Sequence, residues 1–178
     1  MTARSSNNPC VKSFPAQVAG DCRVLILGSA PSTLSLTLQQ VYAHPRNLFW
    51  PLMGEMFGAT RDLAYTRRIA CLHARGVGIW DVLRQCERKG SLDSAIIRDS
   101  EIPNPIAELL ACVPSIRAIA FNGAHAGRVF RRRVLPRIES ARSSELALLD
   151  LPSTSPAHAA MSHREKAERW RVLLDICS

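Results

Sequence analysis

A segment rich in polar and aromatic side chains is the clearest candidate for chemistry in this sequence. Residues 42–50, YAHPRNLFW, place a histidine, an arginine and an asparagine between aromatic residues. The carboxamide of Asn47 can orient a water molecule or a nucleobase, and it can equally cap a helix that begins after it. His44 and Arg46 can donate hydrogen bonds to a phosphate or a base. The residue types leave both functions of Asn47 open.

A second polar segment lies near the end of the chain. Residues 151–159, LPSTSPAHA, carry hydroxyl groups and backbone amides that suit contacts to phosphate or to a base. The candidate contact residues in this loop are Ser153, Thr154, Ser155 and His158. A turn rich in serine, threonine and proline, without any binding function, is the alternative interpretation.

Two further candidates follow predicted strands. The run GSAPS at residues 28–32 begins with a glycine, which lets the backbone of Gly28 and Ser29 approach a ligand and present N–H groups. This run has neither the Walker A pattern nor the GxGxxG pattern. Asp81 follows the second predicted strand, and its carboxylate can accept a hydrogen bond from a base or cap a following helix.

The pattern of apolar residues predicts the elements that position these groups. Strands are predicted at residues 23–28, 76–80, 116–121 and 146–151, and helices at 47–57, 61–75, 105–112, 123–133 and 163–176. Strands that alternate with helices predict an α/β fold, a three-layer αβα sandwich with a central four-stranded parallel sheet. Ligands bind beyond the carboxyl ends of such strands. The polar runs GSAPS, WDV, FNG and LPSTSP stand at those ends, and their convergence predicts a binding site.

Length and composition limit the organisation of the chain. Its 178 residues, of which 47% are hydrophobic, suffice for one sizeable core. We expect a disordered or extended lead-in over residues 1–20 and a single domain over residues 21–178. The N-terminal segment lacks the apolar stretch of a signal peptide, and no apolar run is long enough to cross a bilayer. A cytoplasmic location without a membrane partner is therefore expected.

Cysteine spacing and net charge bear on metals and partners. The six cysteines are scattered without the spacing of a metal site, which favours free thiols in a reducing compartment and predicts no metal. There are 23 Lys and Arg against 15 Asp and Glu, a formal charge of +8, and such a basic chain attracts polyanions. Because many basic proteins bind no nucleic acid, charge alone leaves this question open. Arg164 is a plausible phosphate contact, with solvated surface as the alternative.

Five segments taken together resemble a known family. GSAPSTLSL, YAHPRNLFW, GVGIWDVLRQCERKGSLDSAI, FNG and LPSTSPAHA are similar, in that order, to the hypoxanthine-DNA glycosylase branch, family 6, of the uracil-DNA glycosylase superfamily. The resemblance runs from about Arg23 to Trp170. It implies a four-stranded parallel sheet between helices, a pocket for a flipped base, and no metal or cofactor. It also implies a monomeric enzyme, associated with the nucleoid, that excises a deaminated base such as hypoxanthine or uracil from double-stranded DNA.

The resemblance also implies roles for individual residues. Asn47 is implied to be catalytic, because Ala30 stands where mismatch-specific members carry the asparagine of a GINPG loop, and the GQDPYH loop is absent. Tyr42 is implied to stack on the flipped base, with a half-buried core tyrosine as the alternative. Asp81 falls where the uracil-specific enzymes carry a base-reading asparagine. We therefore expect its carboxylate to accept the N1–H of hypoxanthine.

The LPSTSPAHA loop departs from the family pattern. Ser153 and Ala157 stand where the uracil-specific enzymes have a histidine and a bulky leucine wedge. By this comparison, His158 or His44 would stabilise the leaving base, and Met161 would supply the wedge.

Two other functions fit the same sequence. One is a DNA-binding module that recognises damage without cutting, and the other is a small-molecule hydrolase or nucleotide-binding protein on the same layout. The basic charge and the polar strand ends favour DNA over a small molecule. The HPRN segment favours catalysis over binding alone.

Overall fold

Strands and helices alternate along most of the chain. The structure is a computed structural model that describes residues 8–178. Its strands and helices are Cys10–Lys12 (β1), Val24–Gly28 (β2), Thr33–Leu38 (α1), Phe49–Phe57 (α2), Tyr65–His73 (α3), Val77–Asp81 (β3), Leu83–Glu87 (β4), Ile102–Pro103 (β5), Ile106–Cys112 (α4), Ala118–Asn122 (β6), Ala124–Val129 (α5), Ser140–Ser144 (α6), Ala147–Leu151 (β7), His163–Trp170 (α7) and Val172–Cys177 (α8). Short 3-10 turns lie at Asp93–Ala95, Arg98–Ser100 and Leu135–Arg137, and a π-helical turn lies at Phe130–Val134.

A parallel sheet forms the centre of the molecule. Its strands lie in the order β3-β2-β6-β7, and each neighbouring pair is parallel. Every residue of β2 is buried, because its VLILG sequence is apolar on both faces of the sheet. The register pairs Gly28 with Asp81 and Asn122 with Leu151. The polar ends of the strands therefore meet at one edge, as the sequence predicts.

Helices cover both faces of this sheet. Leu27 packs into one core with Phe121, and Ile26 packs into a second core with Trp50. Neighbouring residues of a strand point to opposite faces, so the continuous apolar run of β2 contributes to both cores. The predicted three-layer αβα fold is confirmed.

A small antiparallel sheet is missing from the sequence prediction. In it, β4 pairs with β1 on one side and with β5 on the other. Strand β1 lies within the lead-in expected over residues 1–20, so this part of the lead-in packs on the rest of the chain, whereas residues 1–7 lie outside the described residues. The sequence of β4, LRQCE, is mostly polar, and its partner β1 is distant in sequence. Local periodicity therefore gives no sign of this sheet.

The boundaries of several helices also differ from the prediction. Helix α1 is unpredicted and begins at Thr33, and the hydroxyl of its N-cap Ser32 accepts a hydrogen bond from the Ser35 N–H at 3.1 Å. The helix predicted over residues 61–75 begins only at Tyr65 and ends at His73. The terminal helix is divided into α7 and α8 at Arg171. Helix ends depend on capping contacts more than on periodicity, which explains these differences.

Candidate active site

A cavity of about 310 Å³ lies at the carboxyl ends of the parallel strands. Pockets of roughly this size hold small ligands in many proteins. The predicted site residues that line it are Gly28, Ser29, Tyr42, Asn47, Asp81, Ser153, Thr154, Ser155 and His158. Three predicted DNA-contacting residues, His44, Arg46 and Arg164, do not line it. The strand topology thus brings together side chains from segments that are far apart in the sequence.

Asn47 is held in place by backbone hydrogen bonds just before α2. Its Oδ1 accepts a hydrogen bond from the Phe49 N–H at 3.0 Å, and its own N–H donates to the His44 carbonyl at 2.9 Å. The Asn47 carbonyl accepts from Arg61 Nη2 at 2.5 Å. An amide oxygen has a second lone pair, so the bond to Phe49 leaves the side chain able to hold a ligand in the cavity. The N-cap of α2 is Leu48, so Asn47 lies one residue before the capping position. Its bond from the Phe49 N–H is compatible with the orientation of a water molecule.

Tyr42 presents a stacked ring to the cavity. Its ring lies 4.0 Å from that of Phe49, centroid to centroid, at an interplanar angle of 25°. Its φ of 53° lies in the left-handed region, which side-chain-bearing residues adopt at an energetic cost. The hydroxyl is buried beside Asn122 and makes no hydrogen bond of good geometry within residues 8–178. Burial raises the pKa of the Tyr42 phenol far above its usual value, so the hydroxyl keeps its proton.

Gly28 makes room for two polar groups at the end of β2. A Cβ atom at this position would lie 2.7 Å from Asp81 Oδ1 and 2.8 Å from the Tyr42 hydroxyl oxygen. Both distances are shorter than a carbon atom tolerates, so only glycine fits without displacing one of these groups. The approach of Asp81 and Tyr42 to the same point explains why a glycine ends this strand.

Asp81 is a buried carboxyl group that changes between its protonated and ionised forms near neutral pH. Burial raises its pKa to about 7, the nearby Asp93 carboxylate adds to the rise, and the Arg88 guanidinium opposes it. The Asp81 carbonyl accepts a hydrogen bond from Asn104 Nδ2 at 2.8 Å, which fixes the backbone. The helix-capping alternative for Asp81 is wrong, because strand β4 follows it instead of a helix.

Thr154 holds the LPSTSPAHA loop onto the sheet. Its N–H donates to Asn122 Oδ1 and its Oγ1 accepts from Asn122 Nδ2, both at 2.9 Å. Its carbonyl accepts from the Leu48 N–H at 3.0 Å, which joins the loop to the segment containing Asn47. The side chain is 0% exposed. The sequence predicts that Thr154 contacts DNA, but its polar groups already form hydrogen bonds inside the protein.

Helix α7 holds the two ends of the same loop. Lys166 Nζ donates to the His158 carbonyl at 2.7 Å, and Trp170 Nε1 donates to the Pro152 carbonyl at 3.0 Å. Lys166 and Trp170 lie four residues apart and therefore on one face of the helix. Both side chains are buried, so the loop rests on a rigid support.

The other hydroxyl groups of the loop face the cavity. Ser153 Oγ accepts from the Ser155 N–H at 3.2 Å, and Ser155 Oγ accepts from the Ala157 N–H at 3.3 Å. These bonds shape the turn and leave each hydroxyl with its own proton to donate. Of the two histidines considered for the leaving base, His158 lines the cavity and His44 does not.

Three predicted contact residues lie outside the cavity. His44 Nδ1 accepts from the Arg46 N–H at 3.1 Å, and the side chain of Arg46 is exposed. Arg164 is exposed at the start of α7, where its Nε donates to Glu168 Oε1 at 3.2 Å. Contacts from these residues would therefore be made at the surface around the cavity.

One wall of the cavity comes from residues for which the sequence predicts no role in a site. Residues 91–94 line it, and Asp93 Oδ1 accepts a hydrogen bond from the Ser29 hydroxyl at 2.5 Å. Arg88, only 1% exposed, donates to the Pro31 carbonyl at 2.5 Å and to the Gly90 carbonyl at 3.0 Å, and it lies 3.9 Å from Asp93. These residues belong to the run GVGIWDVLRQCERKGSLDSAI, which resembles the family, but no pattern within the run predicts a place in the cavity.

Two further observations concern residues 8–178. No three side chains among His, Cys, Asp and Glu are grouped so that they could hold a metal ion. No helix in this part of the chain has the length and apolar character needed to cross a membrane.

Comparisons with known proteins agree with this architecture. The model of the Uracil DNA glycosylase superfamily matches residues 15–175. A hypoxanthine DNA glycosylase of Methanosarcina acetivorans is 42% identical over 117 residues, which cover 65% of this chain and 73% of that protein. Another, from Methanosarcina barkeri, is 35% identical over 115 residues, covering 64% and 72% respectively.

A solved structure is similar over nearly the whole chain. It is a solution NMR structure of a Methanosarcina acetivorans protein proposed to be a uracil DNA glycosylase, with a TM-score of 0.76 and 32% sequence identity. The match covers 94% of this chain and 99% of that one. The resemblance expected from the motifs is confirmed, and this chain belongs to the uracil DNA glycosylase superfamily.

Proposed function

We propose that this chain is a monofunctional DNA glycosylase that excises hypoxanthine from double-stranded DNA and so begins base excision repair. The observation that carries this proposal is the meeting of Asn47, Tyr42 and Asp81 in one cavity at the carboxyl ends of the strands. These side chains supply a water-orienting amide, an aromatic face and a base-reading acceptor. The relatives named hypoxanthine DNA glycosylase support the same substrate.

The proposed role of Asn47 is to orient the attacking water. Cleavage of an N-glycosidic bond develops positive charge on the sugar and negative charge on the leaving base. Water adds to C1′ of the sugar as the bond from C1′ to N9 of the base breaks, the base leaves as an anion, and the proton released by the water neutralises that anion. A carboxamide is not a base at neutral pH, so its contribution is to align the water through its oxygen. The bond from Phe49 N–H to Oδ1 holds this oxygen in one orientation.

Asp81 is proposed to select hypoxanthine over adenine. Hypoxanthine has a hydrogen on N1, whereas adenine has a lone pair there, so an ionised carboxylate attracts the first and repels the second. Tyr42 would stack on the flipped base with the ring face that Phe49 leaves free. Uracil likewise carries an N–H beside a carbonyl group, at N3, so a weaker activity on uracil is part of the proposal.

His158 is proposed to stabilise the leaving base. It lines the cavity, and its carbonyl is fixed by Lys166. No lysine of residues 8–178 lines the cavity, so the described site offers no amine for a Schiff base with the sugar. Hydrolysis that leaves an intact abasic site therefore fits the site better than strand cleavage does.

The proposed partner is duplex DNA bound by a monomer in the cytoplasm, at the nucleoid. The formal charge of +8 favours binding to the phosphate backbone. His44, Arg46 and Arg164, together with Ser153 and Ser155, are the proposed DNA contacts. Light scattering of the purified protein, with and without a deoxyinosine duplex, measures the number of chains per complex.

The test is a cleavage assay on end-labelled duplexes with one deoxyinosine, followed by alkali. The unmodified protein is expected to produce strand breaks only after alkali treatment, and Asn47→Ala is expected to lose at least about 100-fold in rate. Asn8→Ala, a change outside the cavity, is the matched control and should keep full activity.

The alternative functions predict different results. Tight binding to the deoxyinosine duplex without any strand break would indicate a damage-recognising module. Absence of DNA binding at low salt would indicate an enzyme or binding protein for small molecules. Either result would contradict the proposed function.

A further inference from the structure

Leu92 is an exposed apolar side chain at the mouth of the cavity. It is 54% exposed, and it lines the cavity together with the neighbouring Asp93. Leu38, with a similar exposure of 51%, does not line the cavity. Single exposed leucines are common on protein surfaces, so exposure alone does not indicate a function for Leu92. Its position at the cavity does.

The LPSTSPAHA loop, which also lines the cavity, has no exposed apolar side chain of comparable size there. Its exposed residue at the cavity is Ala157, which is too small to fill the space left by a nucleotide. Met161, expected from the sequence to supply the wedge, does not line the cavity. Proteins that open a base stack commonly insert an apolar side chain into it. The LPSTSPAHA loop therefore presents no large apolar side chain at the cavity that could serve as this wedge.

The residues on either side of Leu92 are hydrogen-bonded to the start of α1 and to the loop that precedes it. Ser91 Oγ accepts a hydrogen bond from the Thr33 N–H at 3.1 Å, and Asp93 Oδ1 accepts from the Ser29 hydroxyl. A side chain that inserts into DNA must keep its position while the bases press against it. The two hydrogen bonds restrain the backbone on either side of Leu92.

Buried Arg88 strengthens the same restraint. Its guanidinium joins the Pro31 carbonyl of one loop to the Gly90 carbonyl of the other. A buried arginine that satisfies two carbonyl groups is a costly arrangement unless its partners stay in place. The segment of residues 89–94 is therefore held as a rigid element at the cavity rim.

We infer that residues 89–94 form a second DNA-contacting element and that Leu92 is the wedge that occupies the duplex when the target nucleotide is flipped out. This inference rests on the proposed glycosylase function. It assigns the wedge to the connection between β4 and β5, a different part of the cavity lining from the LPSTSPAHA loop. The small Ala157 is then explained, because Leu92 fills the space instead.

The test compares Leu92→Ala with Leu38→Ala on the same deoxyinosine oligonucleotide, single-stranded and in a duplex. A single strand has no stack to hold open, so the wedge should matter only in the duplex. We expect Leu92→Ala to lose about tenfold in kcat/KM on the duplex and less than about twofold on the single strand. Leu38→Ala should match the unmodified protein on both substrates, and Leu92→Met should keep most of the duplex activity.

A second measurement does not depend on excision. The fluorescence of 2-aminopurine beside the deoxyinosine rises when the stack opens, and Leu92→Ala should reduce that rise in the duplex. An unchanged duplex rate for Leu92→Ala, or an equal loss on both substrates, would overturn the inference while leaving the glycosylase function intact. Absence of excision by the unmodified protein on either substrate would instead overturn the proposed function.

Discussion

Asn122 and Thr154 are joined by two reciprocal hydrogen bonds, each 2.9 Å long. The first residue ends β6 and the second lies in the loop after β7, and both are buried. The carboxamide of Asn122 thus provides both the donor and the acceptor for the contact with Thr154. The pair fixes the LPSTSPAHA loop against the sheet edge where the cavity lies.

Removing this pair should destabilise the protein. Asn122→Ala leaves a buried amide and a buried hydroxyl of Thr154 without partners, which costs about 2 kcal/mol of unfolding free energy. Thr154→Val removes only the hydroxyl and should cost less, about 1 kcal/mol. Urea denaturation measures both values. An equal cost for the two variants would contradict the assignment of two separate bonds.

Gly28→Ala should impair activity by displacing two groups in the cavity. The added Cβ would lie within 2.8 Å of both Asp81 Oδ1 and the Tyr42 hydroxyl, so at least one must move. A shift of about 1 Å in a reacting group can cost about 100-fold in rate, and we expect a loss of that order in single-turnover excision of hypoxanthine. Gly20→Ala is the matched control, because no atom lies within 4 Å of its added Cβ. Full activity of Gly28→Ala would show that the close approach is unimportant.

The excision of hypoxanthine should increase with pH in the region of pH 7. Burial raises the pKa of Asp81 to about 7, so the carboxyl group is mostly protonated below this pH and ionised above it. The ionised form is the stronger acceptor for the N1–H of hypoxanthine. Single-turnover rates between pH 5.5 and about 8.5 measure the effect, and Asp81→Asn should remove this rise. A rise that persists in Asp81→Asn would have to come from another group.

The same carboxyl group should lower stability at higher pH. Its folded-state pKa of about 7 lies above its ordinary value of 3.8, so the folded protein binds the proton more tightly than the unfolded chain. Stability from this group is therefore present at low pH, is lost as pH rises between these two values, and stays constant above about pH 7. Asp81→Asn should raise the Tm at pH 8 more than at pH 4. Equal changes in Tm at the two pH values would contradict the buried, pKa-shifted state of Asp81.

Lys166→Met should affect DNA processing more than stability. Lys166 is buried, and burial lowers its pKa, while its ammonium donates to the His158 carbonyl. The lost hydrogen bond is offset by removal of a buried charge, so the Tm should change by only a few degrees. The loop end at His158 should loosen, and kcat should fall about tenfold without a matching change in the Kd for DNA. Arg169→Met, on the exposed side of the same helix, is the control and should leave kcat unchanged.

Several features of the fold and the candidate site could be read from local sequence. The run VLILG carries apolar side chains on both faces of the strand, and both faces must be buried. This pattern predicts that β2 is a central strand of a parallel sheet. The short segment YAHPRNLFW contains both Tyr42 and Asn47, so their proximity needs no long-range information. These interpretations depend on apolar periodicity and on motif identity, which are properties of neighbouring residues.

The antiparallel sheet and the wall formed by residues 91–94 could not be read in this way. Strand β4 is recognisable only through its pairing with β1 and β5, because its own residues are mostly polar. Asp93 gains its place in the cavity through the bond from Ser29 and the charge of Arg88. Such contacts join residues that are distant along the chain, and no local pattern encodes them.

The sequence by itself determined the class of fold, the family and the two loops at the polar strand ends. Only the tertiary structure decided that Asp81 is buried next to Gly28, that Thr154 is an internal anchor, and that residues 91–94 line the cavity. The physical reason is that apolar periodicity and motifs are set by local residue order. Burial, pKa and hydrogen-bond partnership depend instead on groups that the folded chain brings together from a distance.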